Sequence, residues 1–427
     1  MYNKLLVVFL FSIIIRWVSY EYFLSSVLFP ADSEEYIAIA ENIAAGKGFA
    51  VDGSEPVFHR APFLPYFLSL LFSISRDYWL SIASAINIII SSGVSVVIYL
   101  ISLRIVGNIA IAATASLFFA INPVSIFWSG FILTEPFFLF FFTLSILYLL
   151  KAADGQKIRD FVICGVLMGL AALTRPVMLG VIPFIALWVL IFKKGAKKGF
   201  GAAIIIFILT ILPWTIRNYV NSGEIIPITS EGHNNLVQGL TEDTKTFEAV
   251  PLFTEDEENS MRHLNEWEYK KVEKKRLIRH ILNHPYDILR LMIKKAIIFW
   301  SVTPEIGNPE LRADIFIKLL MVLWSAYSII LYLLAIPAIF SAGNKTDIML
   351  IIFIMISFTL MHMFFLVVPE KRFRLPLEPY LVMLSAIGLS SLRENIMNKK
   401  RFLTQRRKGT QREYKERLFF LIFFASF

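Results

Sequence analysis

Two carboxylates, five basic side chains and one amide-rich loop carry the residue types and spacings that could do chemistry in this chain. Asp32 stands in Pro30-Ala31-Asp32-Ser33-Glu34-Glu35-Tyr36. A carboxylate at a boundary between water and lipid is partly desolvated, which raises its basicity and suits it to take a proton from a hydroxyl. The same residues also read as a helix start. Asp32 would be the N-cap, with Glu35 three positions on as in a capping box and Gly46 closing an apolar pattern through Tyr36, Ile39, Ala40 and Ile43. The two roles are compatible.

Glu135 lies in Thr134-Glu135-Pro136, where Thr as N-cap with Glu and Pro in the first turn is a plain helix-start pattern. Its flanks are Phe131-Ile132-Leu133 and the apolar run from Phe137 to Phe142. An ionised carboxylate among hydrocarbon costs about 2–3 kcal/mol at depth, so Glu135 is expected to face protein or a cavity rather than lipid.

The cations gather beside prolines and aromatics. Arg60 is in His59-Arg60-Ala61-Pro62, Arg175 in Leu173-Thr174-Arg175-Pro176, and Lys371, Arg372 and Arg374 share Lys371-Arg372-Phe373-Arg374-Leu375-Pro376. A guanidinium offers a planar fork of donors to phosphate. Arg60 reads equally as a snorkelling side chain, and the later cluster suits either a bound phosphate or acidic lipid head groups. The loop 223–236, with Ser230, Gly232, His233, Asn234 and Asn235, is rich in groups that hydrogen-bond a polyhydroxylated ligand, although such clusters also form ordinary turns. His280 and His284 are four apart with no Glu beside His280, which is a solvated helix face rather than a zinc site. The small polar stripe Ser84, Asn87, Ser91 and Ser95 reads as helix packing.

The elements that must position these groups are membrane helices. Of 427 residues, 56% are hydrophobic and only 18% charged, with 39 Phe and 8 Trp, and the mean hydropathy is +0.64. That leaves too little polar surface for a water-soluble exterior, so the composition excludes a soluble multidomain enzyme. Net charge is +9, and the stretch from Arg393 to Arg417 alone holds ten Lys or Arg against three Asp or Glu. Next to a span such a tail marks the cytoplasmic side rather than nucleic-acid binding. The single Cys164 permits no intrachain disulfide. The N-terminal apolar run lacks a small-residue cleavage site and is expected to be an uncleaved anchor.

At about 20 apolar residues per crossing, the expected spans are 4–22, 78–103, 109–127, 134–150, 160–174, 177–192, 200–216, 315–340, 347–368 and 375–391, about ten in all. The short run from Pro62 to Ile74 decides the topology. If it lies in the interface, Arg104, the Lys151/Lys157/Arg159 loop, Lys193-Lys194-Lys197-Lys198, Lys345 and the basic tail all fall on the cytoplasmic side. If it spans, that bias reverses, against the positive-inside tendency. The interfacial reading puts both termini in the cytoplasm. It puts 23–77, 128–134, Thr174–Pro176, 217–314 and 369–374 together on the external face of a plasma or inner membrane. The segment 217–314 is expected to hold a helical pattern from Met261 through Ile281, ended by Pro285, and then an interfacial helix to Trp300. The chain divides into an N-terminal transmembrane catalytic module (1–216), an external loop segment (217–314), C-terminal transmembrane helices (315–391) and a basic cytoplasmic tail (392–427).

In this order, Asp32-Ser33-Glu34-Glu35-Tyr36, Arg60-Ala61-Pro62-Phe63-Leu64-Pro65, Thr134-Glu135-Pro136, Leu173-Thr174-Arg175-Pro176, Arg217-Asn218 followed by 228–239, and Arg372-Phe373-Arg374-Leu375-Pro376 resemble the membrane glycosyltransferases of the GT-C class. The resemblance is to the family 39-like group of protein O-mannosyltransferases and lipid A aminoarabinose transferases, and covers about residues 1–391. It implies an all-α polytopic GT-C-like bundle with external interfacial helices and a small external loop domain. It further implies an inverting glycosyltransferase that takes sugar from a polyprenyl-phosphate donor to a lipid, glycan or protein hydroxyl. Asp32 matches the first-loop catalytic aspartate, a general base, and Glu135 a second acid that positions donor or acceptor. Arg60, Arg175, Lys371, Arg372 and Arg374 would hold the carrier phosphate, and Glu35, Tyr36, His59, His233 and Asn234 would contact acceptor or sugar. No cofactor is expected, and no metal, since no cluster has ligand spacing. The chain departs from larger members in having fewer C-terminal spans and a smaller external domain, which leaves the acceptor open. A polyprenyl-linked glycan transporter or flippase is the other class, as is a lipid-linked glycan polymerase. Transporters carry charges or broken helices at mid-membrane, whereas these spans are nearly charge-free.

Overall fold

Lipid cannot hydrogen-bond the backbone, so apolar runs of this length must satisfy their own N–H and C=O groups, and helices do so. The computed structural model describes residues 2–24, 31–53, 55–241, 251–264, 266–302, 315–341, 345–365 and 371–397, with helices and no strand among them. The first ten helices are α1 (Tyr2–Leu24), α2 (Ala31–Ala44), α3 (Phe63–Ile74), α4 (Trp79–Val106), α5 (Ile109–Ala120), α6 (Pro123–Trp128), α7 (Glu135–Gly155), α8 (Ile158–Thr174), α9 (Met178–Phe192) and α10 (Lys197–Ser222). Four more form the polar segment: α11 (Glu231–Thr241), α12 (Glu255–Ser260), α13 (Glu266–Asn283) and α14 (Pro285–Trp300). Helices α15 (Ile315–Ser341) and α16 (Lys345–Phe365) precede a 3-10 turn, Lys371–Leu377, which leads into α17 (378–397).

Among the described residues, seven helices are long and apolar enough to cross a membrane, and the protein is an integral membrane protein. The expected span 109–127 is not one helix. Asn122 accepts a hydrogen bond from the Ser125 N–H and Pro123 follows it, so α6 starts afresh after α5 ends. The spans expected at 160–174 and 177–192 are α8 and α9, whose 17 and 15 residues fall short of the roughly 20 of a full crossing. Helix α3 has 12 residues, about 18 Å of rise and short of a hydrocarbon core of about 30 Å.

The polar stripe of α4 has a specific partner. Arg16 of α1 is fully buried and donates to Ser91 Oγ (3.1 Å), Ser125 Oγ (2.9 Å) and the Ala120 carbonyl (3.1 Å) at the end of α5. A helix C-terminus carries partial negative charge, which stabilises a cation there. Arg16→Ala would strand these acceptors, so thermal melting in detergent is expected to fall by an equivalent of about 2–4 kcal/mol. An unchanged melting curve would show the cluster to be incidental.

Helix α8 packs between α7 and α10. A Cβ on Gly165 would sit 2.4 Å from the Ala203 carbonyl oxygen, and one on Gly169 would sit 2.5 Å from Thr210. This Gly-x-x-x-Gly face lets two backbones meet where lipid gives no hydrophobic drive between helices.

Opposite ends of α7 differ in character. At its C-terminal end Asp154 pairs with Arg104 and Lys193, each at 2.8 Å, and Lys193 also reaches Asp347 at 3.1 Å. Glu135 begins the same helix, about 30 Å away along a 21-residue axis.

In the polar segment, the helical pattern expected from Met261 to Ile281 is broken. Thr254 and Glu257 form a capping box for α12, which ends at Ser260, and α13 opens only at Glu266. Pro285 ends α13 as expected and also supplies the first turn of α14. Val237, Leu240, Leu277 and Ile288 bind α11, α13 and α14 into one small core. The terminal stretch 398–427, including most of the basic tail, lies outside the described residues.

Candidate active site

The ends of six helices and the 3-10 turn enclose a cavity of about 730 Å³. Helix α2 contributes Asp32 and, one turn on, Tyr36. The loop entering α3 brings Arg60, the start of α7 Glu135, and the junction of α8 and α9 Arg175. The start of α11 adds Glu231, Gly232 and Asn235, the end of α16 adds His362, and the turn adds Arg372 and Phe373. Asn87 of α4 donates to the Phe131 carbonyl at 2.7 Å, which fixes the loop that presents Glu135.

Charge runs through the site as two ion-paired sets. Asp32 accepts from Arg372 Nη2 at 2.6 Å through one oxygen and from Arg60 Nη2 at 3.0 Å through the other. Arg60 also donates through Nε to Glu35 at 2.6 Å, and His59 Nε2 meets the second oxygen of Glu35. The Arg60 guanidinium lies 5.3 Å from the Tyr36 ring centre and that of Arg372 5.8 Å from Trp128, so both are braced on aromatic faces. The second set is Glu135 with Arg175 at 2.6 Å, the carboxylate side chain only 2% exposed. Arg175 lies 5.6 Å from the Phe373 ring. An unpaired carboxylate so buried would be costly, and the arginine removes that cost.

Asp32 is not the N-cap: α2 starts at Ala31, so the carboxylate sits in the first turn, and both its oxygens serve arginines instead of backbone. Nor does Thr134 cap α7 with its side chain. Burial does press the Asp32 pKa upward, as expected from its position. The adjoining Arg372 and Arg60 outweigh that, and hold it below the usual carboxylate range. The expected raised basicity is therefore not a property of the resting site. Burial likewise opposes ionisation of Glu35, but hydrogen bonds from His59 and Arg60 bring it down to about 2. Burial pushes the Tyr36 phenol up to about 12.

Glu35 gains its partners on folding, so its folded pKa lies below an unfolded value of about 4.3. The stabilisation is complete above that value and is lost as pH falls toward 2. Thermal stability should therefore decline on acidification below about pH 5, and Glu35→Gln should flatten that slope. A wild-type slope in the variant would mean the pair does not stabilise the fold.

The expected site residues divide into three groups. Asp32, Tyr36, Glu135, Arg60, Arg175 and Arg372 meet at the cavity, and Glu35 and His59 stand behind Arg60 and Asp32. Arg374 is elsewhere. It is fully buried and gives its donors to Glu378 at 3.0 Å, Ser328 Oγ at 3.1 Å, the Ser301 carbonyl at 3.2 Å and Tyr332. In a 3-10 turn residues two apart point to different sides, so Arg372 and Arg374 separate. His233 turns away to Glu273 at 2.7 Å, and Asn234 is exposed outside the cavity lining. The side chain of Lys371 lies outside the described part of the structure. The sequence names Asn235 only as part of the polar loop 223–236 and does not single out Glu231, although their spacing of four on a helix places them on one face. Among the described residues no group of three His, Cys, Asp or Glu side chains is placed to hold a metal ion.

The fold is that of an all-helical membrane protein, a GT-C-like bundle. The sequence profile of the family described as dolichyl-phosphate-mannose-protein mannosyltransferase matches residues 75–225, a stretch that holds Glu135 and Arg175 but not Asp32, Arg60 or Arg372. The resemblance read from the motifs is thereby borne out. No curated protein sequence matches the chain significantly.

Among the solved structures similar in fold, two hold a polyprenyl-type lipid phosphate. One is the oligosaccharyltransferase AglB of Archaeoglobus fulgidus, in complex with an inhibitory peptide and a dolichol-phosphate. It superposes with a TM-score of 0.53 at 13% identity, over 94% of this chain and 51% of that one. The other is ArnT of Cupriavidus metallidurans bound to undecaprenyl phosphate, with a TM-score of 0.54 at 13% identity, over 90% of this chain and 60% of that one. The chain thus spans between half and three-fifths of the length of these proteins.

Proposed function

We propose that this protein transfers a sugar from a polyprenyl-phosphate carrier to a hydroxyl acceptor, with inversion, in the cavity between Asp32 and Glu135. One observation carries the reading: in a GT-C fold, one cavity holds Asp32 bridged by two arginines and Glu135 paired with a third. The phosphate of the donor is the leaving group, and a guanidinium stabilises the negative charge that develops on it. Arg60, Arg175 and Arg372 take that role. Glu135 holds Arg175 in place.

The same arginines explain how a carboxylate of low basicity becomes a base. A donor phosphate competes with Asp32 for Arg60 and Arg372. As they turn to the phosphate, Asp32 loses its stabilising partners while burial remains, and its proton affinity rises. The acceptor oxygen attacks C1 of the sugar from the face opposite the phosphate, the C1–O bond to phosphate breaks, and Asp32 takes the hydroxyl proton. Polyprenyl phosphate departs on the arginines. Single displacement inverts the anomeric centre.

The cavity lies at the opposite end of α7 from the Arg104–Asp154–Lys193 cluster. With basic loops cytoplasmic, this supports an external or periplasmic site and cytoplasmic termini. Incubating the purified protein with a panel of radiolabelled polyprenyl-phosphate sugars and a lysate-derived acceptor mixture tests the proposal. One labelled donor should be consumed with release of polyprenyl phosphate, while movement of intact donor across vesicles without cleavage would favour a flippase.

A further inference from the structure

Glu231 differs from the other acids of the cavity. Asp32 and Glu135 are each held by arginine. Among the described residues, no cation lies within ion-pair distance of Glu231. Burial raises its pKa, and the surrounding charges are those of Arg60, Asp32, His59 and Arg175. Asn235 follows one helical turn later, lines the same wall, and has no side-chain hydrogen-bond partner among the described residues. On a helix, side chains four apart stand about 5–6 Å from each other, close enough to reach one sugar ring together.

The wall that carries them is held in place. The Ser230 N–H donates to the Phe58 carbonyl at 2.8 Å, which pins the start of α11 beside His59 and Arg60. Trp214 Nε1 donates to the Ile228 carbonyl at 2.8 Å, and on the far face of α11 Val237 and Leu240 are buried against α13 and α14. A desolvated carboxylate without donors costs free energy that a ligand's hydroxyls can recover. A phosphate would be repelled there, and the three arginines already offer it a place.

We propose that Glu231 and Asn235 form a subsite for a hydroxyl-rich sugar ring, accepting and donating hydrogen bonds to neighbouring hydroxyls while the arginines hold the phosphate. This rests on the glycosyl-transfer reading above and adds what recognises the sugar. The ring belongs either to the donor or to a glycan acceptor, and the two are separable by kinetics.

The test compares wild type, Glu231→Gln and Asn235→Ala for binding of undecaprenyl phosphate alone. It also compares transfer from undecaprenyl phosphate carrying mannose, glucose or arabinose. Affinity for the bare lipid phosphate should stay within twofold in both variants. KM for the preferred sugar donor should rise about ten- to hundredfold in Glu231→Gln, with a smaller change in kcat. A rise confined to the acceptor KM assigns the ring to the acceptor. Unchanged KM for both substrates overturns the subsite, as does an equal loss of bare lipid-phosphate binding, which would make Glu231 a structural wall. Should wild type bind undecaprenyl phosphate and consume no sugar donor, the transfer reading itself falls, and the subsite with it.

Discussion

Asp32→Asn is expected to lower sugar transfer by about 10²- to 10⁴-fold, the range for loss of a general base, while binding undecaprenyl phosphate as tightly as wild type or more so. The second half of that expectation follows from geometry. In the resting site Asp32 occupies one Nη atom of Arg60 and one of Arg372. A phosphate must displace it from both. Asparagine keeps the shape and removes the charge, so the arginines are held less firmly and phosphate meets less competition. A residue that merely braced the site would lose binding and turnover together. Single-turnover rates beside equilibrium binding separate the cases: a variant with weakened lipid-phosphate binding and little loss of rate would refute the exchange of partners.

Glu135→Ala is expected to destabilise the protein by about 3–5 kcal/mol, the cost of leaving a buried charge without its partner. Glu135 is 2% exposed and Arg175 is partly shielded by Phe373, so water cannot fully replace the carboxylate. The double variant Glu135→Ala/Arg175→Met removes both charges and should recover much of that stability. It should still lack one of the three arginines and bind lipid phosphate less tightly. Thermal melting of the three proteins in detergent reads the first effect, and a double variant no more stable than Glu135→Ala would mean that the pair is not coupled.

The sequence carried the helices better than their partners. Apolar runs with turn residues between them mark most of the spans, and the charge bias alone separates Phe63–Ile74 from the crossing helices. The break at Asn122 was written locally, in an Asn-Pro pair that starts a helix, but the apolar run around it masked the signal. Pairing across the chain was not legible. Asp32 and Arg372 are 340 positions apart, and only their meeting reverses the effect that burial alone has on the acid. Arg372 and Arg374 look alike in sequence, and the direction each takes depends on a 3-10 turn whose start no periodic pattern marks. In the loop 223–236 the polar composition pointed to ligand contact, whereas the register of α11 gave the cavity to Glu231 and Asn235 and turned His233 to Glu273.

The central claim is that arginines from separate parts of the chain hold one lipid phosphate beside Asp32. Equilibrium binding of undecaprenyl phosphate to wild type and Arg372→Ala, at low and high salt, tests it most directly. Wild type should bind, more weakly as salt rises, and the variant should lose about tenfold or more, as for a charge-assisted bond to phosphate. Binding that neither salt nor Arg372→Ala changes would mean that the lipid phosphate sits elsewhere, and the account of this cavity would be wrong.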